Sequence, residues 1–286
     1  MAHSEPPALT VLRRPKLDHA TLVLAFAGWM DGGDVSTGTV SRLVQLLGAS
    51  PMAQIDPEPF YILSFPGSME TAALFRPPVQ IEEGVVKAVE MPSNTFFAHD
   101  PANLAFFLGR EPNLQWRAFG ECIFSLARQV GIGRILFVGS FGGAVPHTRQ
   151  PRLYVSCSEP GRLPEMRRYG LRPSTYKGPG SFTTYLMAQA ESAGLEMISL
   201  VAEIPSYLGG TNPVCIEAVT RLLAKILKLP LDLDSLRTAS TAWELEVSSV
   251  VEQNQEMAET ILKLEEAYDN ELLASEEPGQ SPSLPS

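Results

Sequence analysis

The sequence predicts an α/β protein with a mostly parallel sheet sandwiched between helices. Two observations carry this. Residues 21–27, 104–108 and 134–139 are short, nearly continuous apolar runs, the pattern of strands covered on both faces. Stretches with helical spacing and helix start or stop residues lie at 35–47, 115–130, 182–193 and 213–229. Strands and helices that alternate on this scale form parallel sheets through helical crossovers.

The elements follow in order. The strand at 21–27 leads through the loop 28–34 into a helix, with Asp34 as the expected N-cap and Gly48 as the stop. Val35, Val40, Leu43, Leu46 and Leu47 form its apolar face. Residues 58–63 read as a further strand. Residues 78–81 and 85–91, joined by Glu82-Glu83-Gly84, read as a β-hairpin. The strand at 104–108 leads through Glu111-Pro112 into the helix 115–130, which Gly131 ends. The strand at 134–139 is followed by the loop 142–148, a short strand at 153–157 and a polar connector. The helix 182–193, the strand 196–203 and the helix 213–229, with Asn212 as N-cap and Pro213 at its first position, complete a core spanning 9–231.

The tail has a different pattern. Trp243, Val247, Val250, Asn254, Met257, Ile261, Leu264 and Tyr268 recur in steps of four and three among glutamates. A continuous helix, a pair bent near Asn254, or an oligomeric coiled coil each gives this seam, with packing onto the same protomer as the default. The acidic helical segment spans 232–274, and the Pro- and Ser-rich residues 275–286 are expected to be disordered.

Composition narrows the function. No run approaches the ~20 apolar residues of a membrane span, and no secretory signal is visible, so a cytoplasmic protein without membrane contact is expected. Cys122, Cys157 and Cys215 are far apart, as in a reduced compartment, and suit core packing. Of the net charge of −10, the segment from Asp232 onward carries 13 acidic residues against Arg237 and Lys263. Residues 149–177 hold seven basic residues against Glu159 and Glu165. Two readings follow: the tail docks on the basic segment, which is favoured, or it closes as a lid over an anion site there. A chain this acidic, without a binding motif, is not expected to bind nucleic acid.

The loops at the carboxyl ends of the strands nominate one rim as a cleft for a ligand or partner. Its candidate residues are Trp29, Asp31, Gly33, Asp34, Ser140, His147, Tyr176, Lys177, Tyr207 and Asn212. The glycine-rich loop 28–34 lacks the spacing of a phosphate cradle, and Asp31 and Asp34 would repel a phosphate. Ser140 in Val138-Gly-Ser-Phe-Gly142 misses the nucleophile-elbow pattern, because a strand rather than a helix follows it. His147 would need a carboxylate to orient it, with Glu203 or Asp31 as the candidates; a structural loop histidine is the favoured reading. Tyr176 and Lys177, close to a helix start, form a better anion site than the first loop. No residue is assigned as catalytic, and no metal ligand set or cofactor is expected.

Several motifs occur together in order: Ala25-Phe-Ala-Gly-Trp-Met-Asp-Gly-Gly-Asp34, Ile55-Asp-Pro57, Arg76-Pro77, Gly109-Arg-Glu-Pro112, Pro146-His-Thr-Arg149, Tyr176-Lys-Gly-Pro179, Pro205-x-Tyr207, Asn212-Pro213 and Leu231-Asp-Leu233. Over residues 9–268 this order resembles the bacterial and archaeal branch of the proteasome assembly chaperone 2 family. The resemblance implies a phosphorylase/hydrolase-like α/β core, a hairpin insertion available for assembly and a C-terminal helical lid over a cleft. It also implies a homo-oligomer, with a trimer as the candidate size, and a protein partner. Archaeal relatives carry a C-terminal hydrophobic-Tyr-x docking tail, from which the Ser-Leu-Pro-Ser ending here departs. The expected function is that of a non-enzymatic, homo-oligomeric binding or assembly factor. The alternative is an enzyme acting on a small anionic metabolite through His147 and the Asp31/Asp34 loop.

Overall fold

A computed structural model describes residues 6–276. The first half of the chain forms β1 (Leu9–Val11), β2 (Ala20–Ala27), α1 (Val35–Leu47), β3 (Ser50–Ile55), α2 (Met69–Ala73), β4 (Val79–Glu82), β5 (Val85–Val89), β6 (Thr95–His99), β7 (Leu104–Arg110) and α3 (Trp116–Val130). The second half forms β8 (Ile132–Gly143), β9 (Leu153–Cys157), α4 (Leu163–Arg168), β10 (Arg172–Pro173), α5 (Phe182–Ala190), β11 (Glu196–Pro205), α6 (Pro213–Ile226), α7 (Asp234–Glu252) and α8 (Gln255–Glu276). The expected disorder after 275 falls almost wholly outside the described residues.

One sheet has the order β1-β3-β6-β7-β2-β8-β11-β9-β10. Its centre, β7-β2-β8-β11, is parallel; β6, β3 and β1 on one side and β9 on the other join through antiparallel pairs, and the two-residue β10 then pairs parallel with β9. The period of two divides each central strand between two cores. Leu22, Leu24, Phe26, Phe107 and Phe137 pack with Phe119 of α3 and Phe182 of α5. Val23, Ala25, Phe106, Leu136 and Val138 pack on the other face under α1 and α6. The α/β fold is therefore a three-layer sandwich. No helix among the described residues is long and apolar enough to cross a membrane.

Residues 58–63 are not a strand; β3 precedes them at Ser50–Ile55. Pro57 and Pro59 have no N–H to give a ladder. Phe60 and Tyr61 are instead buried as plugs from a loop. The Tyr61 hydroxyl lies 2.6 Å from the Arg110 carbonyl and 2.7 Å from Asn94 Oδ1, and burial raises its pKa. The hairpin forms as expected, with Glu83 and Gly84 both at positive φ, and it pairs with no other strand among the described residues. The tail is a bent pair. Asn254 breaks it by accepting the Met257 N–H on Oδ1 at 3.1 Å, which starts α8.

Gly131 terminates α3 at φ +82°, and a Cβ there would lie 2.2 Å from the Leu17 carbonyl oxygen. Gly48 ends α1 at φ +65° with open space around it. Urea unfolding of Gly131→Ala is expected to show a loss of about 2–3 kcal/mol, against about 1 kcal/mol for Gly48→Ala. Equal losses would remove the role assigned to the Leu17 contact.

Candidate functional site

The three nominated loops do meet at the carboxyl ends of β2, β8 and β11, but they meet by closing on one another. The Ser140 N–H donates to the Met30 carbonyl at 2.9 Å, and its hydroxyl donates to the Gly32 carbonyl at 2.7 Å. The Asn212 N–H donates to the Gly33 carbonyl at 2.8 Å. Ser140 is therefore a fully buried residue inside β8, not a loop residue presented to a ligand. Gly33, at φ +64°, has no room for a side chain, since its Cβ would lie 2.9 Å from that of Asn212. Asn212 is the α6 cap that the sequence indicated, accepting the Cys215 N–H at 3.0 Å.

The aspartates exchange their expected roles. Asp34 is left-handed, at φ 52°, and makes no side-chain cap; its Oδ2 accepts the Thr211 hydroxyl at 2.5 Å. Asp31 holds the start of α1, taking the Thr37 N–H at 3.0 Å and the Thr37 hydroxyl at 2.7 Å. Burial raises the Asp31 pKa, and the Thr37 bonds oppose that rise. Asp31 is thus committed to the fold, whereas Trp29 stands 65% exposed.

His147 is buried, and no carboxylate orients it. Its backbone N–H donates to the Tyr207 oxygen at 2.9 Å, and its Nδ1 lies 2.8 Å from that same oxygen. Nε2 lies 3.2 Å from Ser248 Oγ on α7. A neutral ring with its proton on Nε2 satisfies every contact, with Tyr207 donating to Nδ1. Desolvation lowers the His147 pKa, with Glu244 and Glu265 acting in the other direction. Glu203 is buried elsewhere, accepting the Ala144 N–H at 2.8 Å and the Tyr154 hydroxyl at 3.1 Å. Trp243 of α7 closes the space beside His147 to a cavity of about 10 Å³, room for roughly one water.

Tyr176 and Lys177 do not form the expected anion site. Both are exposed, and the Tyr176 hydroxyl donates to the carbonyl of Pro179 in its own turn. The N-terminus of α5 is already filled: Ser181 Oγ accepts the Thr184 N–H, and Glu111 Oε1 accepts the Phe182 N–H at 2.7 Å. Glu111 also accepts the Trp29 N–H on Oε2 at 3.2 Å, so it ties the first loop to α5. Glu111 stands in the Gly109-Arg-Glu-Pro112 motif, whose sequence alone gives it no role. Its signal was an acidic residue directly after a buried strand, where a helix start can use it.

The acidic tail docks on the basic segment. Arg149 grips Asp269 through two parallel bonds of 2.9 and 2.8 Å and reaches Glu265 at 3.4 Å. Glu271 takes Arg152 at 2.6 Å and also pairs with Arg172. The Arg152 guanidinium lies 4.7 Å from the Tyr268 ring centroid, and the Tyr268 hydroxyl donates to the Gln150 carbonyl. A separate cleft of about 510 Å³, which sequence reasoning missed, opens beside α1, lined by Asp34, Thr37, Ser41, Ser93, Leu108 and Arg110. The three thiols are unpaired, and burial pushes those of Cys122 and Cys215 up to about 12 and that of Cys157 to about 11. Among the described residues no group of three or more His, Cys, Asp or Glu side chains could hold a metal ion.

The PAC2 family model matches residues 25–251, from near the end of β2 to the last turn of α7. A Mycobacterium tuberculosis protein of unknown function superposes with a TM-score of 0.82 at 22% identity, covering 96% of this chain and 92% of its own. A proteasome-assembly chaperone homologue from the same organism superposes at 0.72 with 24% identity, covering 84% and 99%. A PAC2 family protein from Streptomyces avermitilis gives 0.69 and 26%, covering 84% and 98%. None of the curated proteins matches the chain. The chain belongs to the PAC2 family.

Two outcomes are expected. The Arg149 pairs are partly exposed, so solvent screens them and each is individually weak. Arg149→Gln should therefore raise amide exchange in α8 about twofold to fivefold while leaving exchange in β2 and β8 unchanged; unchanged exchange in α8 would show that the clasp contributes nothing. His147 has a folded pKa below its ordinary 6.5, so its contribution is complete above about pH 6.5 and is lost as pH falls through the folded value. His147→Gln should flatten the fall in Tm between pH 7.5 and 5.5, and an unaltered slope would assign that fall to other groups.

Proposed function

We propose that this PAC2-family chain is a non-catalytic, homo-oligomeric binding or assembly factor whose self-association surface is the hairpin β4–β5. The carrying observation is the hairpin's uncovered apolar face. In the register Val79↔Val89 and Ile81↔Val86, these four side chains share one face and are 49–61% exposed. Phe65, Met69, Leu74 and Met91, before and after the hairpin, add 42–82% exposed apolar side chains to the same stretch of chain. An uncovered apolar face of this kind marks an interaction surface, and a two-stranded hairpin gains stability when that face is covered.

The state of the rim supports the non-catalytic part of the reading. Ser140 and Asp31 spend their polar atoms on neighbouring backbone or on Thr37, and His147 is held by two hydroxyls under α7. The Mycobacterium tuberculosis relative described as a proteasome-assembly chaperone homologue favours a protein as the further partner of the assembled oligomer. A second copy of this chain is the first occupant expected at the hairpin.

The double variant Ile81→Thr/Val86→Thr keeps two β-branched residues in the strands while making the face polar. Light scattering after size exclusion should show the wild type as an oligomer and this variant shifted to the monomer mass, with unchanged far-ultraviolet dichroism. A monomeric wild type, or a variant of unchanged mass, would overturn the proposal.

A further inference from the structure

The second opening in the structure has a different chemistry from the hairpin and is independent of it. Period-two alternation points Ala27, Leu108 and Arg110 to the α1 side of the sheet, with Ala25 and Phe106 of that core. There α1 offers only Thr37, Gly38 and Ser41, and the turn before β6 offers Pro92 and Ser93. These small side chains leave the end of the sheet uncovered, and the resulting cleft of about 510 Å³ is of metabolite size. Gly109, also in its wall, has no space for a Cβ, which would lie 2.5 Å from the Phe107 ring.

Arg110 is rooted firmly. Its N–H donates to Asn94 Oδ1 at 3.2 Å, and its carbonyl accepts the Tyr61 hydroxyl at 2.6 Å. Its half-buried guanidinium has no carboxylate partner among the described residues, unlike Arg134, Arg149, Arg152 and Arg162. Asp34 lines the same cleft without pairing to it. The Asp34 side chain is fixed through Oδ2 by Thr211, which leaves Oδ1 free. A cation on a firmly held stretch of backbone and an anion held through Thr211, lining one cleft with Ala27, Leu108 and Pro92, match a ligand that carries both charges.

We propose that this cleft binds a small zwitterion of amino-acid or dipeptide size, its carboxylate on Arg110 and its ammonium group on Asp34. The guanidinium fork suits the two oxygens of a carboxylate. Asp34 disfavours ligands of high negative charge such as nucleoside di- or triphosphates. The hydroxyls of Ser41 and Ser93 can meet remaining polar atoms of the bound molecule.

The test is calorimetry and thermal shift on the full chain, using the twenty common L-amino acids and a set of glycyl dipeptides as probes. Each binder is then compared with its des-amino acid and its carboxamide. At least one probe is expected to bind and both of its truncated analogues to bind at least about tenfold more weakly. Arg110→Gln should abolish binding. Asp34→Asn, which keeps a residue tolerant of left-handed backbone, should reduce affinity for the amine-bearing probe to that of its des-amino analogue. Both variants should keep the wild-type Tm. Failure of every probe, binding that survives Arg110→Gln, or preferential binding of inorganic phosphate would overturn the proposal. None of these outcomes alters the oligomer mass by which the hairpin is judged.

Discussion

The fold depends on how β2 and β8 part company. They pair from Ala20 to Leu24 and then separate, because Ala25, Phe26 and Ala27 stay with β7 while β8 continues along β11 to Gly143. In a parallel sheet this divergence is the usual place for a ligand crevice. Here residues 30–32 fill it as a surrogate strand, bridging Asp31 to Ser140 in parallel and accepting the Ser140 N–H and hydroxyl. The same loop turns at Gly33 against Asn212 and hands Asp31 to the first turn of α1. One backbone excursion thus closes the crevice, starts α1 and seats the beginning of α6. Open space for a small molecule moves one strand over, to the Arg110 side of β2.

The tail completes the closure electrostatically. A nearly neutral body with a basic segment faces a tail that accounts for the chain's net negative charge. The pairs are individually weak because their side chains remain partly exposed. They are linked, however, since Glu271 serves both Arg152 and Arg172, and Arg152 also reaches the buried Glu203. Removing Arg152 would leave Glu203 with its Tyr154 and Ala144 donors but no counter-charge, so the tail's clasp and a core carboxylate share one support. Ser248 and Trp243 close over His147 within the same assembly, and the burial disfavours its protonated form.

The central strands were legible because burial on both faces forces continuous apolar runs, and α1, α3 and α6 because helical spacing ran up to a glycine stop or on from the Asn212-Pro213 start. The edge was not. β1 and β6 are short, and β3 contains Pro51, so none shows a pattern that separates it from loop. Phe60 and Tyr61 gave residues 58–63 the apolar content of a strand, yet side chains that plug a core from a loop give the same content. At the site, sequence located the rim loops correctly but could not tell a polar side chain free for contact from one spent on the backbone. Asp31 and Asp34 are three residues apart on one loop, and only the left-handed turn at Gly33 and Asp34 decides which of them caps the helix. Arg110 was hidden for the opposite reason, because an unpaired cation at a strand end has no pattern until the space around it is known.

The hairpin sets a constraint on how any partner meets it. Its two outer edges present unpaired backbone groups, which invite strand addition. The register slips between Gln80 and Ile81, leaving Lys87 as an extra residue on β5, and Glu82 and Glu83 lie at the tip. A bulge and a lysine on an edge strand discourage backbone pairing, and charges at the tip discourage end-on contact. What remains open is the face built by Val79, Ile81, Val86 and Val89. Association through side chains on a face requires a matching apolar surface, not merely another strand edge. A symmetric second copy supplies that match without a further specialised sequence, because the same four residues can meet their own image across a rotation axis.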